Sequence, residues 1–368
     1  MRQQVLRGAQ SRGAQKVVNP QALKNSLAQS LVAGLPGPEA SAEDLALVAR
    51  EGLGGVILFA RNVQSPAQVW QLNYDLRRAA AQAERPPLFT MVDQEGGSVA
   101  RLHAPFSDGP DMAALGRGEA ADLGAFGARL GRELAAAGFN WDLAPVLDVH
   151  AVAGGVMARR SLGGDPRRVA ALGAAFIEGM QAAGCLACAK HFPGLGRTTA
   201  DTHKERPFVS LSRQELAAVE LVPFRAAAAA GVAGVMICHA VYAALDPERP
   251  ASLSPRVIQD LLRGELGFQG LVLSDDVEMG AVAGHMDPAQ AVVEAYLAGC
   301  DLVLVCHRPE LALAALERLV ELALAGEIAP ALIAQKTRRI IQLKQGLEPL
   351  PPELGVLQRV LAENQARA

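Results

Sequence analysis

Short apolar runs recur along the chain at residues 31–35, 55–59, 87–93, 141–149, 185–191, 234–239, 270–275 and 301–306. Between them lie longer stretches whose apolar positions follow a helical spacing, at 41–52, 65–83, 119–138, 165–184, 212–231, 254–266 and 287–299. Two more amphipathic stretches follow at 309–326 and 329–346. Several helical stretches open on Ser-Pro or Asp-Pro pairs, such as Ser65-Pro66, Asp165-Pro166 and Asp287-Pro288, and many end at Gly. Proline suits the first helical turn, where its missing N–H has no partner to lose, and glycine suits the exit. The short runs are apolar at consecutive positions rather than alternate ones, which marks strands buried on both faces, as in a parallel sheet. Eight strands alternating with helices predict an α/β chain folded as a single (β/α)8 TIM-type barrel. No Gly-x-Gly-x-x-Gly follows the first strand, so a dinucleotide-binding sheet lacks its usual mark. No composition break divides the chain. The expected division is a flexible tail over residues 1–20, a barrel over 21–347 and a C-terminal tail over 348–368.

In such a barrel the C-terminal strand ends converge on one face. Those ends carry Asp93, Asp148, Lys190 with His191, His239, and Asp275 with Asp276. Lys190 and His191 lead into a loop, Phe192-Pro193-Gly194-Leu195-Gly196-Arg197, that runs on to Asp201-Thr202-His203. Three chemistries suit this set. A strand-end lysine could form a Schiff base, though one next to His and a polar Gly-rich loop is poorly desolvated. Acids with histidines could hold a divalent metal, though ligands at fixed near spacing are missing. Two groups flanking a glycosidic bond could hydrolyse it, one as nucleophile and one as proton donor. The last uses the residues with least surplus, by a slight margin.

Composition narrows the partners. A net charge of −3 and 4% aromatic residues give no basic or base-stacking surface for nucleic acid. No apolar run reaches the length of a membrane span, and residues 1–19 lack the apolar core of a secretory signal. The expectation is a cytoplasmic protein without membrane or nucleic-acid partners. The five cysteines (Cys185, Cys188, Cys238, Cys300, Cys306) sit in or beside apolar runs and read as buried thiols. Cys185-x-x-Cys188 has metal or redox spacing, but on a strand the two side chains face opposite ways. No metal and no cofactor are expected.

The segments Lys190-His191-Phe192-Pro193-Gly194, Asp201-Thr202-His203 and Ser274-Asp275-Asp276-Val277-Glu278-Met279 together resemble family 3 glycoside hydrolases. The chain is most similar to the single-domain bacterial β-N-acetylglucosaminidases (β-N-acetylhexosaminidases) that trim cell-wall muropeptides. The segment from Val92 through Asp93-Gln94-Glu95-Gly96-Gly97 to Arg101, the run Ala144-Pro145-Val146-Leu147-Asp148, and Arg160-Ser161-Leu162-Gly163 match further signatures of the family, in register. The resemblance implies a retaining enzyme with Asp275 as nucleophile and His203, paired with Asp201, as general acid/base. It places Asp93, Arg101, Arg160, Lys190 and His191 around a terminal sugar, so the expected partner is a small GlcNAc-ended glycan or muropeptide. A β-glucosidase or xylosidase of the same family, or a weakened sugar-binding barrel, are the alternatives.

The chemistry of the residues agrees with that assignment. Histidine titrates near neutrality, and Asp201 two positions earlier can orient it and raise its proton affinity. Asp276 reads as a structural cap, Glu95 as part of a hydrogen-bonded turn, and His239 as floor. His103, His150, His285 and His307 read as loop residues without a role. Leu195 and Arg197 stand where the family pattern has His and Asp, which alters the anchoring of the loop.

Overall fold

The computed structural model describes residues 19–150, 157–198 and 206–366. Eight parallel strands form the barrel: β1 Leu31–Gly34, β2 Gly55–Leu58, β3 Phe89–Val92, β4 Trp141–Asp142, β5 Leu186–Phe192, β6 Gly234–Ile237, β7 Leu271–Ser274 and β8 Val303–Val305. They neighbour one another in chain order, with β8 returning to pair with β1. A bridge from Leu273 to Leu302 brings β7 to β8, so the predicted (β/α)8 barrel is what the chain builds.

The apolar residues divide into two cores. Val32, Ile57, Phe89, Met91, Trp141, Cys188, Met236 and Leu273 fill the barrel, while a larger layer packs between strands and helices. Trp141 fits inside because β6 begins at Gly234, where a Cβ would stand 2.5 Å from the indole. Cys185 belongs to the outer layer and Cys188 to the interior, and all five cysteines are unpaired and buried.

The helices start where the sequence signals them. Asp287 accepts from the Gln290 N–H at 3.1 Å, Asp165 from the Arg167 N–H at 2.9 Å, and Ser65 from the Gln68 N–H at 3.2 Å. Each side chain satisfies an N–H that has no partner within its helix. Helix Pro330–Lys344 crosses the N-terminal end of the barrel and plugs it with Ile340.

Three features depart from the sequence-based expectation. The run at 141–149 is regular strand only at Trp141–Asp142; beyond it Ala144 and Pro145, which has no N–H to donate, accept from the N–H groups of Cys188 and Lys190, and a bridge forms at Val146–Lys190. A small sheet of Phe208–Val209, Val241–Tyr242 and Asp246–Pro250 lies outside the barrel. The segment expected as a C-terminal tail is instead docked. Its helix Leu354–Gln365 buries Leu357 and Leu361, the Trp70 indole donates to the Pro352 carbonyl at 2.8 Å, and Arg77 donates to the Glu348 carbonyl. Residues 1–18, most of the expected N-terminal tail, lie outside the described residues.

Candidate active site

The C-terminal strand ends surround a cavity of about 890 Å³. Asp93, Arg101, Arg160, Lys190, His191 and Asp275 all line it, so six residues expected from the sequence meet in one place. Asp201 and His203 lie outside the described residues.

One wall is a chain of alternating charges. Lys190, joined to His191 by a cis peptide bond, is 2% exposed and places its Nζ 2.7 Å from Asp93 Oδ1 and 2.7 Å from Glu95 Oε1. Arg101 reaches the other Asp93 oxygen at 3.3 Å. Arg160 grips Glu95 with two donors, Nε at 2.8 Å and Nη2 at 2.6 Å, the bidentate geometry that suits guanidinium and carboxylate. His191 Nε2 lies 3.4 Å from Arg160, and its Nδ1 lies 2.7 Å from Asp148 Oδ2. Asp148 is fully buried, and its other oxygen also accepts the Leu195 N–H at 2.7 Å.

Burial alone would push Asp93, Glu95 and Lys190 toward their neutral forms. For Glu95 that pressure is overridden by Arg160 and Lys190, which hold its carboxyl far below the usual range. For Asp93 burial is likewise overridden, by Lys190 and Arg101. Lys190 is pushed down by burial but held above its ordinary value by Asp93 and Glu95. Asp93, Glu95 and Lys190 therefore stay ionised near neutral pH, presenting fixed donors and acceptors suited to a polyhydroxylated ligand.

Asp275 faces this wall from the end of β7. Its own N–H donates to the Ile237 carbonyl at 3.0 Å, and its Oδ1 accepts the Asp276 N–H at 2.9 Å. Asp276 caps the turn as expected, accepting from the N–H groups of Glu278 at 3.1 Å and Cys306 at 3.2 Å. Burial raises its pKa to about 7.

Several residues were misjudged or missed. Glu95 does sit in a hydrogen-bonded turn, its N–H donating to Val99, but its side chain is the most heavily paired acid of the wall. The signal was available, since Glu95 stands two residues after Asp93 and extended backbone places such neighbours on one side. His307, read as a loop residue, lines the cavity and stacks on Phe59 with centroids 5.8 Å apart. His239 is sealed behind the turn that carries Asp275, not on the cavity floor. Leu195 lines the cavity, and Arg197 pairs with the buried Glu220 at 3.1 Å. Burial raises Glu220 to about 7, with Asp148 adding to the rise and Arg197 opposing it.

A barrel whose strand ends meet in a charged cavity suits an enzyme acting on a polar substrate, and comparison with known proteins fixes the class. Residues 22–343 match the glycosyl hydrolase family 3 N terminal domain, and the chain belongs to that family of glycoside hydrolases. It is 42% identical over 295 residues to a beta-hexosaminidase of Pseudomonas aeruginosa (strain LESB58), covering 79% of this chain and 87% of that one. Among solved structures it is similar to a family 3 beta-N-acetylglucosaminidase from Paenibacillus sp. str. FPU-7, with a TM-score of 0.86 and 37% identity over 92% of this chain and 68% of the other. The beta-N-acetylhexosaminidase from Beutenbergia cavernae DSM 12333 matches with a TM-score of 0.82 and 34% identity, over 88% of this chain and 98% of the other.

Proposed function

We propose that the chain is a retaining β-N-acetylhexosaminidase that removes terminal, non-reducing β-linked N-acetylglucosamine, with muropeptides from the cell wall as natural substrates. The observation that carries the reading is the placement of Asp275 across one cavity from the Asp93–Lys190–Glu95–Arg160 chain of charges. The names of the similar proteins agree with the sugar. Five unpaired buried thiols accord with a reducing, cytoplasmic setting.

In this reading Asp93, Arg101, Arg160, Lys190 and His191 bind the hydroxyls of the terminal sugar. Lys190 and Arg160 are pre-oriented by Glu95, so little ordering is left for the substrate to impose. Asp275 attacks the anomeric carbon with the oxygen not held by the Asp276 N–H. His203, oriented by Asp201, gives a proton to the leaving oxygen and later takes one from water. A histidine in this role adds no second negative charge beside the nucleophile.

The test is covalent trapping. A 5-fluoro N-acetylglucosaminyl fluoride slows release of the glycosyl-enzyme more than its formation. Peptide mass spectrometry is expected to find the sugar on Asp275, and a label on any other residue reassigns the nucleophile. Comparing p-nitrophenyl glycosides of N-acetylglucosamine and glucose decides the sugar. Faster turnover of the glucoside would favour a β-glucosidase, and no turnover of either would favour a binding barrel.

A further inference from the structure

Behind the Asp275 turn lies a fully buried histidine that none of these steps uses. His239 follows β6, with Nε2 2.8 Å from the Asp276 carbonyl oxygen and Nδ1 2.6 Å from Ser252 Oγ. A carbonyl oxygen only accepts, so Nε2 carries the proton. Burial pushes the pKa of His239 down and keeps the ring neutral, so Nδ1 accepts the Ser252 hydroxyl proton. Ser252 is fixed in turn, its N–H donating to the Cys238 carbonyl at 3.0 Å. The tautomer is thus set by the two neighbours.

Asp276 is gripped at its other atoms too. Its carboxylate accepts from Glu278 and Cys306, and its carbonyl also accepts the Met279 N–H at 3.1 Å. With both ends held, its N–H points at Asp275 Oδ1.

We infer that His239, seated on Ser252, is a positioning residue for the nucleophile: its Nε2–H fixes the Asp276 carbonyl and so the backbone on one side of that residue's Cα, while the N–H on the other side holds one oxygen of Asp275 and leaves the second for the anomeric carbon. This rests on the reading of Asp275 as nucleophile. The two halves of the reaction feel the strut differently. In the first, Asp275 bonds to the anomeric carbon as the aglycone leaves with a proton from His203, and the carboxylate charge disappears. In the second, water attacks that carbon, its proton passes to His203, and the electron pair of the ester bond returns to Asp275. Charge then develops on the Asp275 carboxylate, one oxygen of which the Asp276 N–H faces, and a donor already in place stabilises that transition state. The strut assists release of the sugar more than its capture.

The experiment uses p-nitrophenyl N-acetylglucosaminide, whose good leaving group speeds the first half. His239→Phe keeps a planar ring and removes the donor, while His239→Gln keeps an N–H close to the Nε2 position. For His239→Phe, kcat is expected to fall about tenfold, the scale of one hydrogen bond to a charged group. KM should fall with it, and intact-protein mass spectrometry at steady state should show more glycosyl-enzyme than in the wild type. His239→Gln should recover kcat to within about threefold of the wild type. Wild-type kcat and KM in His239→Phe, or a lower kcat without accumulated adduct, overturns the inference. If that variant does not fold, as judged by its thermal melt, Ser252→Ala is read the same way. A smaller shift in the same direction supports the strut, and no shift overturns it. Failure of the wild type to be labelled on Asp275 would overturn the nucleophile itself, a result separable from every one above.

Discussion

The two ends of the barrel each bury a lysine, and the two lysines behave in opposite ways. At the C-terminal end Lys190 is 2% exposed, and Asp93 and Glu95 both lie 2.7 Å from its Nζ. At the N-terminal end Lys344 is 1% exposed and among the described residues meets uncharged acceptors alone, Gln29 Oε1 at 2.7 Å and the Gly54 carbonyl at 2.7 Å, with its Nζ 4.7 Å from the Phe89 ring centroid. Burial lowers the pKa of both, but two carboxylates reverse it for Lys190, whereas nothing does for Lys344, which falls to about 7. Equal burial therefore does not mean equal charge. Full counter-charges make a cation permanent, while dipoles alone leave it titrating near neutrality.

The largest effect follows from removing the permanent cation. Lys190→Met leaves Asp93 and Glu95 facing each other without it, and breaking one side of a buried pair costs about 3–5 kcal/mol. A matching fall in the denaturation midpoint is expected, with kcat/KM on the p-nitrophenyl substrate down at least about a hundredfold, since the same group would bind sugar. A stable, active Lys190→Met enzyme would mean that the charged wall is ornament and would break the contrast between the two ends.

The same contrast explains which parts were legible in the sequence. Strands buried on both faces and helices opened by Asp-Pro announce themselves locally, so the barrel and its eight strands could be read directly. Lys190, His191, Asp93 and Asp275 were legible because each sits at the end of such a strand. For Glu95 the spacing from Asp93 gave its side of the backbone but not its partner, since a Gln-Glu-Gly-Gly turn gives no local sign that Arg160, 65 positions later, will close on it. His307 was missed for the same reason: its place depends on Phe59, at the far end of the chain. The docked helix Leu354–Gln365 has a short apolar pattern that becomes meaningful only beside helix Ala120–Ala136, against which it packs. Asp201 and His203 rest on the family resemblance and the chemistry of histidine, because they fall outside the described residues.

The opposite end gives a smaller, pH-dependent effect. Lys344 has a folded pKa of about 7 against an ordinary value of 10.5, so between these limits the unfolded chain binds a proton that the folded chain refuses. Stability from this site is complete above about pH 10.5 and is lost as pH falls to 7. Each tenfold difference in proton affinity is worth about 1.4 kcal/mol. Lys344→Met should flatten the rise of the urea midpoint with pH over that window. Activity at fixed pH should change less than about twofold, because the side chain lies at the end of the barrel away from the cavity. An unchanged slope would show that Lys344 stays charged in the fold and that its dipoles suffice after all.

Lys336 supplies the intermediate case and the finest test. It is 1% exposed, donates to the Cys300 carbonyl, and has its Nζ 4.5 Å from the Tyr296 ring centroid. Burial lowers its pKa, but Asp301 nearby opposes part of the fall, and Arg339 and Arg263 dilute that help, leaving a value of about 8. Its window therefore closes one pH step earlier than that of Lys344. Between pH 8 and 10 both Lys336→Met and Lys344→Met should flatten the stability curve. Between pH 7 and 8 Lys344→Met should flatten it more than Lys336→Met, because a folded Lys336 that titrates near 8 still keeps most of its charge there. Urea midpoints at half-unit steps from pH 7 to 10 separate the two variants. If they flatten the curve over the same range, the partial counter-charge of Asp301 has no effect, and burial alone sets the charge of a lysine at this end of the barrel.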